Sequence, residues 1–488
     1  MSTDHVHTLV TALTIEAPFW RLAEACPGPW YALLDSALPG PRLGRWSFLL
    51  ADVDLVAEAR AADSEPGLNT RRREQDGTWS TAHRKGDPYS LVRALRAERG
   101  RAHLTSEIPF LCGAVGWFGH GAGRFAEDLP ESLPDRDGLP DLRLMFGDVV
   151  AAHRPDDGLT WLATTGRGPG PDAARRAAED LRDLWRPRFE GYTPPHLTAV
   201  PADPAPVAVR ADLSPDAYAA AVAAIQQDIL AGRVFEVNMT QTLEIDLKAD
   251  PWTLYRVLRE TNPAPFAAFL RTPDAAVVSS SPERYLALDR EGCAESRPIK
   301  GTRPRGADSE ADTRLRAELE ASAKDRAENV MIVDLVRNDL GRVCDTGSVR
   351  VPELCAVEGY ATVWQMVSTV TGRLRNGFDA LDLVRACHPP GSMTGAPKIE
   401  ALKVIDERET CRRGVYAGGI GYLDDGGAMD LHVVIRTAVV QNGACRIGVG
   451  GAVTSDSAPM DEYLESQTKA AALIRAVGLA EVISRSNR

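Results

Sequence analysis

The sequence predicts an α+β chain in which strand-like runs are broken by long helices, without the regular strand–helix–strand alternation of a doubly wound sheet. Three observations carry that expectation. Short apolar runs bounded by Pro, Gly and Asp fill the first part of the chain. Strong helical periodicity is confined to a few long segments farther on. A helix and a proline-rich connector separate the two regions.

Up to about Leu162, strands are expected at Trp30 to Leu34, Trp46 to Val53 and Leu142 to Ala151. Composition then shifts between Thr164 and Asp212. GRGPGPDAARRAAEDLRDLWRP predicts one amphipathic helix, and YTPPHLTAVPADPAP a proline-rich connector. The expected division is an N-terminal region 1–163, the connector 164–211 and a catalytic region 212–488. Ser214-Pro215, an N-cap followed by proline at the first helical position, predicts a helix to about Leu230. Strands, two or three strong helices and a C-terminal helix from about Asp461 follow, with no internal repeat.

Composition narrows the function. The 488 residues allow one large domain or two to three ordinary ones, and 44% hydrophobic with 25% charged content reads as soluble and globular. A net charge of -12 without a compensating basic tract argues against nucleic acid or an acidic membrane surface as partner. The eight cysteines are scattered with no C-x-x-C pair, so neither a disulfide frame nor a zinc site is expected. MSTDHVHTLV is not a signal peptide and no apolar run approaches a membrane span, so the expected location is cytoplasmic.

Arg297-Pro298-Ile299-Lys300-Gly301-Thr302 sets a lysine in a tight turn after a strand-like run. Such a lysine serves as a covalent nucleophile where its surroundings lower its pKa and exclude water. Ser281-Pro282-Glu283 precedes it by one strand–turn–strand. If those strands pair, Glu283 stands near the amine as a general acid/base; the alternative is an ion pair to Arg284, Arg297 or Lys300.

In KDRAENVMIVDLVRNDLGRV, Glu328 shares a helical face with Met331, Ile332 and Leu335, and Asp325 lies one turn earlier. A carboxylate on an apolar stripe costs on the order of several kcal/mol unless it is paired or metal-bound. In APMDEYLESQTKAAALIRAV, Glu462, Glu465 and Lys469 share a face continuing into Ala472 and Leu473. Two helices each offering a pair of acids, with few neutralising partners, suit an oxygen-ligated Mg²⁺. A buried ion pair on the first helix and a solvated Glu465–Lys469 pair on the second are the alternatives.

Two glycine-rich stretches are candidate anion cradles. PPGSMTGAPKIEALKVIDERE reads as a turn entering a helix, with Pro397 near its first turn and Lys398 beside its free N–H groups. It lacks the Gly-Lys-Ser/Thr ending of a Walker A loop. The second is Gly448-Val449-Gly450-Gly451-Ala452, beside a strand expected to end in Ile435-Arg436-Thr437. Glycine-rich turns are usually only turns, and His388 and His432 nearby read as structural.

In this order, GRVFEVNMTQ, SSSPERYL, RPIKGTRPRG, DRAENVMIVDLVRNDLGRV, YATVWQMVSTV, PPGSMTGAPK, GVYAGGIGYL, IRTAVV and GVGGAVTSDSAPMDEYLESQTKA resemble the motifs of the chorismate-utilising enzymes. That family includes the anthranilate synthase large subunit, aminodeoxychorismate synthase component I, and the isochorismate and salicylate synthases. The strings cover nearly all of 212–480, while LLDSALPGPRLGRWSF, GAVGWFGHGAGRF and PDLRLMFGDVV match more loosely. The resemblance implies a two-lobed sandwich of antiparallel sheets flanked by helices, with the active site at one end.

It also implies roles. Glu328 and Glu465 match the direct Mg²⁺ ligands, with Asp325 and Glu462 as water-mediated neighbours. Tyr416, Arg436, Gly450, Gly451, Ala452 and Lys469 match positions that hold substrate carboxylates, and Gly301, Thr302, Thr394 and Gly395 line the same pocket. Anthranilate synthases carry alanine where this chain has Lys300, so the PIKGT form resembles the aminodeoxychorismate synthase branch. There the lysine attacks ring carbon C2, Glu283 protonates the departing C4 hydroxyl, and ammonia adds at C4, an amination of the transaminase class. Water-adding members carry lysine where this chain has Glu236, which disfavours that chemistry.

Three departures stand out: Glu236 is commonly glutamine in amine-forming members, Thr242 replaces an arginine, and Gln365 stands where many relatives have histidine. The LLDS segment with Ser36, together with Asn262 and Pro263, resembles a tryptophan pocket. No cysteine sits in a glutaminase-type elbow, so ammonia is expected from a separate glutaminase subunit. The alternatives are an anthranilate synthase component I or other C2-directed enzyme, and a non-catalytic paralogue that binds chorismate or tryptophan.

Overall fold

Two sheets bury their apolar faces against each other, and Phe48, Val115, Trp117, Met145, Val150 and Ile420 are among the side chains that fill the space between them. The computed structural model describes residues 5–40, 42–63, 65–74, 76–100, 106–360 and 363–486. Residue 41 of the LLDS segment, residues 361 and 362 of YATVWQMVSTV, and the start of MSTDHVHTLV lie outside the described residues.

Each sheet has twelve strands, and the ladders that carry the site are antiparallel. The first sheet centres on Phe266–Arg271, Ala276–Ser281, Thr437–Gln441, Ala444–Val453 and Glu236–Asp246, and extends through Tyr31–Asp35 and Ser47–Leu50 to N-terminal strands. The second runs from Ile299–Pro304 and Val363–Arg373 through Arg284–Leu288, Met429–Val433 and Gly419–Asp424 to Gly113–Phe118, Leu142–Gly147 and Val53–Ala59. Helices Pro171–Glu190, Pro251–Thr261 and Pro459–Ser486 cover the first sheet outside. Helices Pro88–Arg99, Ala323–Gly341 and Ala380–Cys387 cover the second. This is the expected α+β sandwich.

Two expected strands are each two strands. Leu142 to Ala151 breaks at Asp148, with Leu142–Gly147 in the second sheet and Val149–Arg154 in the first. Trp46 to Val53 likewise splits into Ser47–Leu50 and the start of Val53–Ala59. An apolar run buried on both sides of such a crossing carries no mark of the break except short polar residues, here Asp52 and Asp148. At the crossing a Cβ on Gly147 would stand 2.3 Å from the Asp52 carbonyl oxygen.

The helix expected from Ser214 spans Pro215–Leu230, with Ser214 Oγ accepting from the Ala217 N–H at 3.2 Å. The expected boundary at 163/164 falls inside strand Leu159–Gly168. Both sheets draw strands from either side of the connector. All eight cysteines are free thiols. Among the described residues no helix is long and apolar enough to cross a membrane.

Candidate active site

Two further sheet crossings build the site. The chain leaves the first sheet at Ser281 and enters the second at Arg284, which puts Glu283 in the crossing. It returns between Val433 and Thr437, which puts Arg436 in the other. The crossings are bonded together: the Val433 N–H donates to the Glu283 carbonyl (3.0 Å), Ser281 Oγ to the Val433 carbonyl (2.7 Å), and the Ser280 N–H to the Arg436 carbonyl (3.1 Å). Arg436 therefore does not lie in a strand, as expected, but in a turn at φ +50°.

Lys300 lies in strand Ile299–Pro304, whose register against Val363–Arg373 shifts between Ile299 and Thr302. The bulge, rather than the expected tight turn, re-aims the lysine. It depends on Gly301, at φ +84°, where a Cβ would meet the Asp325 Cβ at 2.9 Å. Lys300 Nζ donates to Glu236 Oε1 at 2.8 Å, and the two side chains are 10% and 1% exposed. Thr302 is exposed to solvent.

Burial pushes the Lys300 pKa down, but the charges of Glu236, Glu328 and Glu283 outweigh it, and the net direction is upward. This corrects the expectation of a lowered pKa. At Glu283 burial wins: it raises the carboxyl to about 7, against the opposing pull of Ser392, Lys300 and the Ile299 N–H. The strands flanking Glu283 and Lys300 do not pair directly; Cys293–Ser296 and Val363–Arg373 intervene. The Glu283 carboxyl instead accepts from the Ile299 N–H, one residue before the lysine, and feels the lysine only through its charge. The alternative ion pairs are taken elsewhere, Arg284 by Glu295 and Asp430, Arg297 by Glu358.

The Arg436 guanidinium has no hydrogen-bond acceptor or carboxylate partner among the described residues. Burial depresses its pKa, with only Tyr416 opposing. A half-buried cation without a partner is a receptor for an anion. Tyr416 packs against Gly448, where a Cβ would stand 2.3 Å from its ring. Gly448 to Ala452 is not a turn but part of strand Ala444–Val453. One edge of it pairs with Glu236–Asp246, while on the Thr437–Gln441 side the ladder stops at Ile447. Backbone donors beyond Ile447 on that edge have no ladder partner and stand beside the Arg436 turn.

The other cradle is differently used. Thr394 is buried and its carbonyl accepts from the Asn238 N–H at 2.8 Å. Gly395, at φ +143°, lies so close to Glu236 that a Cβ would stand 2.1 Å from its carbonyl oxygen. Lys398 does not face an open anion site. Its Nζ donates to Asp339 Oδ2 (2.6 Å) and to the carbonyls of Cys387 (2.6 Å) and Pro389 (2.8 Å).

The four expected metal acids stand in two pairs with more neutralising partners than expected. Asp325 pairs with Arg303 at 3.0 Å, Glu328 with Lys324 at 3.9 Å, and Glu465 with Lys469 at 2.7 Å. Glu462 accepts from Ser457 Oγ at 2.7 Å. Lys469 Nζ also donates to the Gly450 carbonyl at 3.0 Å. Among the described residues no three acid, His or Cys side chains form a closed metal-binding group. The donor chemistry nonetheless fits a hard divalent cation. Burial above all raises the Glu328 pKa, with Glu236 and Asp325 adding to it and Lys300 and Lys324 opposing. Missing side chain at Gly451 leaves space there, since a Cβ would stand 3.0 Å from Glu462 Oε2 and 3.6 Å from Glu465 Oε1.

A cavity of about 510 Å³ lies away from Lys300. It lies between the sheets, walled by Ser36, Trp46, Phe266, Met429 and His432. Ser36 of the expected tryptophan pocket is on its wall; Asn262 and Pro263 are not, although Pro265 and Phe266 are. Asn262 instead braces Ser280, accepting from its hydroxyl.

In the sequence Glu236 stood out as a departure and as evidence against water-adding chemistry, but not as the partner of Lys300. The signal was present: a carboxylate between Phe235 and Val237 at the start of a buried strand is the same anomaly that singled out Glu328. Gln365 is buried with its Oε1 unpartnered, opposite Thr302 in the ladder. Thr242 bonds through its N–H to Asp212 at 2.9 Å.

Residues 56–475 match the family described as chorismate binding enzyme. A protein of Streptomyces pristinaespiralis named aminodeoxychorismate synthase is 40% identical over 97% of this chain. The chain spans only 65% of that relative's length. Anthranilate synthase component 1 of Mycolicibacterium smegmatis is 38% identical, over 95% of this chain and 88% of its own. Among solved structures, anthranilate synthase component I from Streptococcus pneumoniae TIGR4 aligns with a TM-score of 0.72 and 26% identity, covering 90% of this chain and 93% of the other.

Proposed function

This chain belongs to the chorismate binding enzyme family, and we propose that it aminates chorismate at ring carbon C4 to give 4-amino-4-deoxychorismate. The observation that carries the reading is a lysine, nearly excluded from water, whose charge acts on a buried acid of pKa about 7. Lys300 is the nucleophile at C2, its attack shifting both conjugated ring double bonds as the C4 hydroxyl leaves. Glu283, protonated over much of the neutral range, gives that hydroxyl its proton. Ammonia adds at C4, both double bonds shift back and the lysine leaves; Glu283 recovers a proton from the new amine.

Arg436 and the unpaired edge of Gly448 to Ala452 receive the substrate carboxylates, which supplies local positive charge in an acidic chain. Glu328 and Glu465, with Asp325 and Glu462 behind them, would hold Mg²⁺, which when bound supplies charge to anchor a carboxylate. Ammonia comes from a glutaminase partner. The cavity beside Ser36, lined by aromatic rings and acids, is read as an aromatic amino-acid site.

Anthranilate synthesis is the second reading, favoured by the 38% identity to such an enzyme. Mass spectrometry after incubation with chorismate, Mg²⁺ and ammonium separates the two. The expected product keeps its enolpyruvyl group, and Lys300→Ala loses it. Release of pyruvate with fluorescent anthranilate would select the second reading.

A further inference from the structure

Lys300 must lose a proton before it can attack carbon, and the residues facing it favour the protonated form. These are Glu236 from strand Glu236–Asp246, Glu328 from helix Ala323–Gly341 and Glu283 from the crossing; Glu465 on helix Pro459–Ser486 also feels its charge. With the amine 10% exposed, water is a poor acceptor.

We propose that Glu236 is a catalytic proton acceptor: Oε1 takes the Nζ proton of Lys300 before the amine attacks, and returns it after the lysine is released. The inference rests on the amination reading above. Geometry selects Glu236 from the surrounding acids. Its Oε1, 2.8 Å from Nζ, is the one acceptor bonded to that amine among the described residues. Its Oε2 is buried without a donor, so no other protein group competes for the carboxylate. Glu283 is committed to the departing hydroxyl, and Glu328 stands with the acids that suit a cation.

The proton balance closes. Transfer from Nζ to Oε1 turns ammonium and carboxylate into amine and acid. The amine forms the C2–N bond while the C4–O bond breaks, and the hydroxyl leaves as water with the proton of Glu283. Ammonia then forms the C4–N bond, the C2–N bond breaks, and the lysine leaves as a neutral amine. The new ammonium gives one proton to Glu283, and Glu236 gives its own back to Lys300. Sum: chorismate and ammonia yield amine and water.

Glu236→Gln keeps shape and hydrogen bonding but cannot accept the proton. The rate of Glu236→Gln divided by that of the unaltered protein, taken at each pH, cancels the titration of ammonia. With chorismate and ammonium, that ratio is expected at about one tenth or lower near pH 7, rising toward one by about pH 9 as Lys300 of the variant loses its proton before substrate binds. The KM for chorismate should stay within about threefold, the melting temperature should hold, and Glu236→Asp should recover part of the rate. A ratio at or above one across the range would overturn the base role, since a mere ion-pair partner would slow nothing when removed. Labelling of Lys300 by acetic anhydride without substrate reads the pair alone: its pH midpoint should fall in Glu236→Gln, and an unmoved midpoint would overturn the pairing. Should the unaltered protein make no amine, the amination reading fails while the labelling shift persists, which separates the two failures.

Discussion

Arg436 shows how a single residue is kept ready at a cost to the fold. It is held at φ +50° in a crossing between sheets, and burial disfavours its charge. Arg436→Gln should therefore raise the melting temperature of the free protein while weakening substrate. A hydrogen bond to a charged group contributes roughly 1.5–3 kcal/mol, which corresponds to about a tenfold to hundredfold rise in the KM for chorismate. Steady-state kinetics beside thermal denaturation checks both signs; a lower melting temperature with unchanged KM would contradict the receptor role. The opposite strategy operates at Lys300, where a carboxylate stabilises the resting charge and must yield before chemistry. Both residues lie in motifs that could be picked out from their types alone, but the ion pair of Lys300 joins positions 64 residues apart.

Between elements, the critical joint is the one that ties helix Ala323–Gly341 to the loop carrying Thr394 and Gly395. Lys398 makes it, reaching Asp339 on the helix, the Cys387 carbonyl at the end of helix Ala380–Cys387 and the Pro389 carbonyl in the loop. Even with the lysine present, burial raises the Asp339 carboxyl to about 6. Lys398→Met leaves that carboxylate and both carbonyls without their donor, and removal of one partner of a buried pair costs about 3–5 kcal/mol. Urea denaturation should report that loss at pH 8, and Asp339→Asn in the same chain should recover part of it. The proline and glycine pattern of PPGSMTGAPK marked this segment as a turn into a helix, and helix Lys398–Arg408 follows it. The pattern could not say that its lysine points back into the protein, because Asp339 lies on another element.

For the molecule as a whole, the decisive fact is that each sheet joins a block of strands from the N-terminal region to a block from 212–488. Tyr31–Asp35 pairs with Phe266–Arg271, and Gly113–Phe118 with Gly419–Asp424, so neither region owns a complete hydrophobic face. Residues 212–488 expressed alone should not give a cooperative unfolding transition. In contrast, cutting the full chain at a protease site inserted between Ala202 and Asp203 should leave the pieces together on gel filtration, with activity retained. The intact segment lies along helix Pro459–Ser486, with Ala205 donating to the Gly478 carbonyl at 3.1 Å and Arg475 reaching the Ala202 carbonyl at 2.6 Å. Separation of the pieces would mean that the interlaced sheets do not hold the molecule.

Local chemistry determined a good deal by itself. Periodicity and caps marked helices such as Pro215–Leu230, charge and composition argued against nucleic acid and acidic membrane as partners, and carboxylates on apolar stripes pointed to a polar site. Those signals are readable because they depend on residues within a turn or two of one another. Tertiary structure alone decided where the chain passes from one sheet to the other, that Arg436 and Glu283 stand in those passages, and that Glu236 rather than Glu283 holds Lys300. These outcomes rest on pairings between distant strands, whose register is set by the packing of both sheets and not by any local pattern.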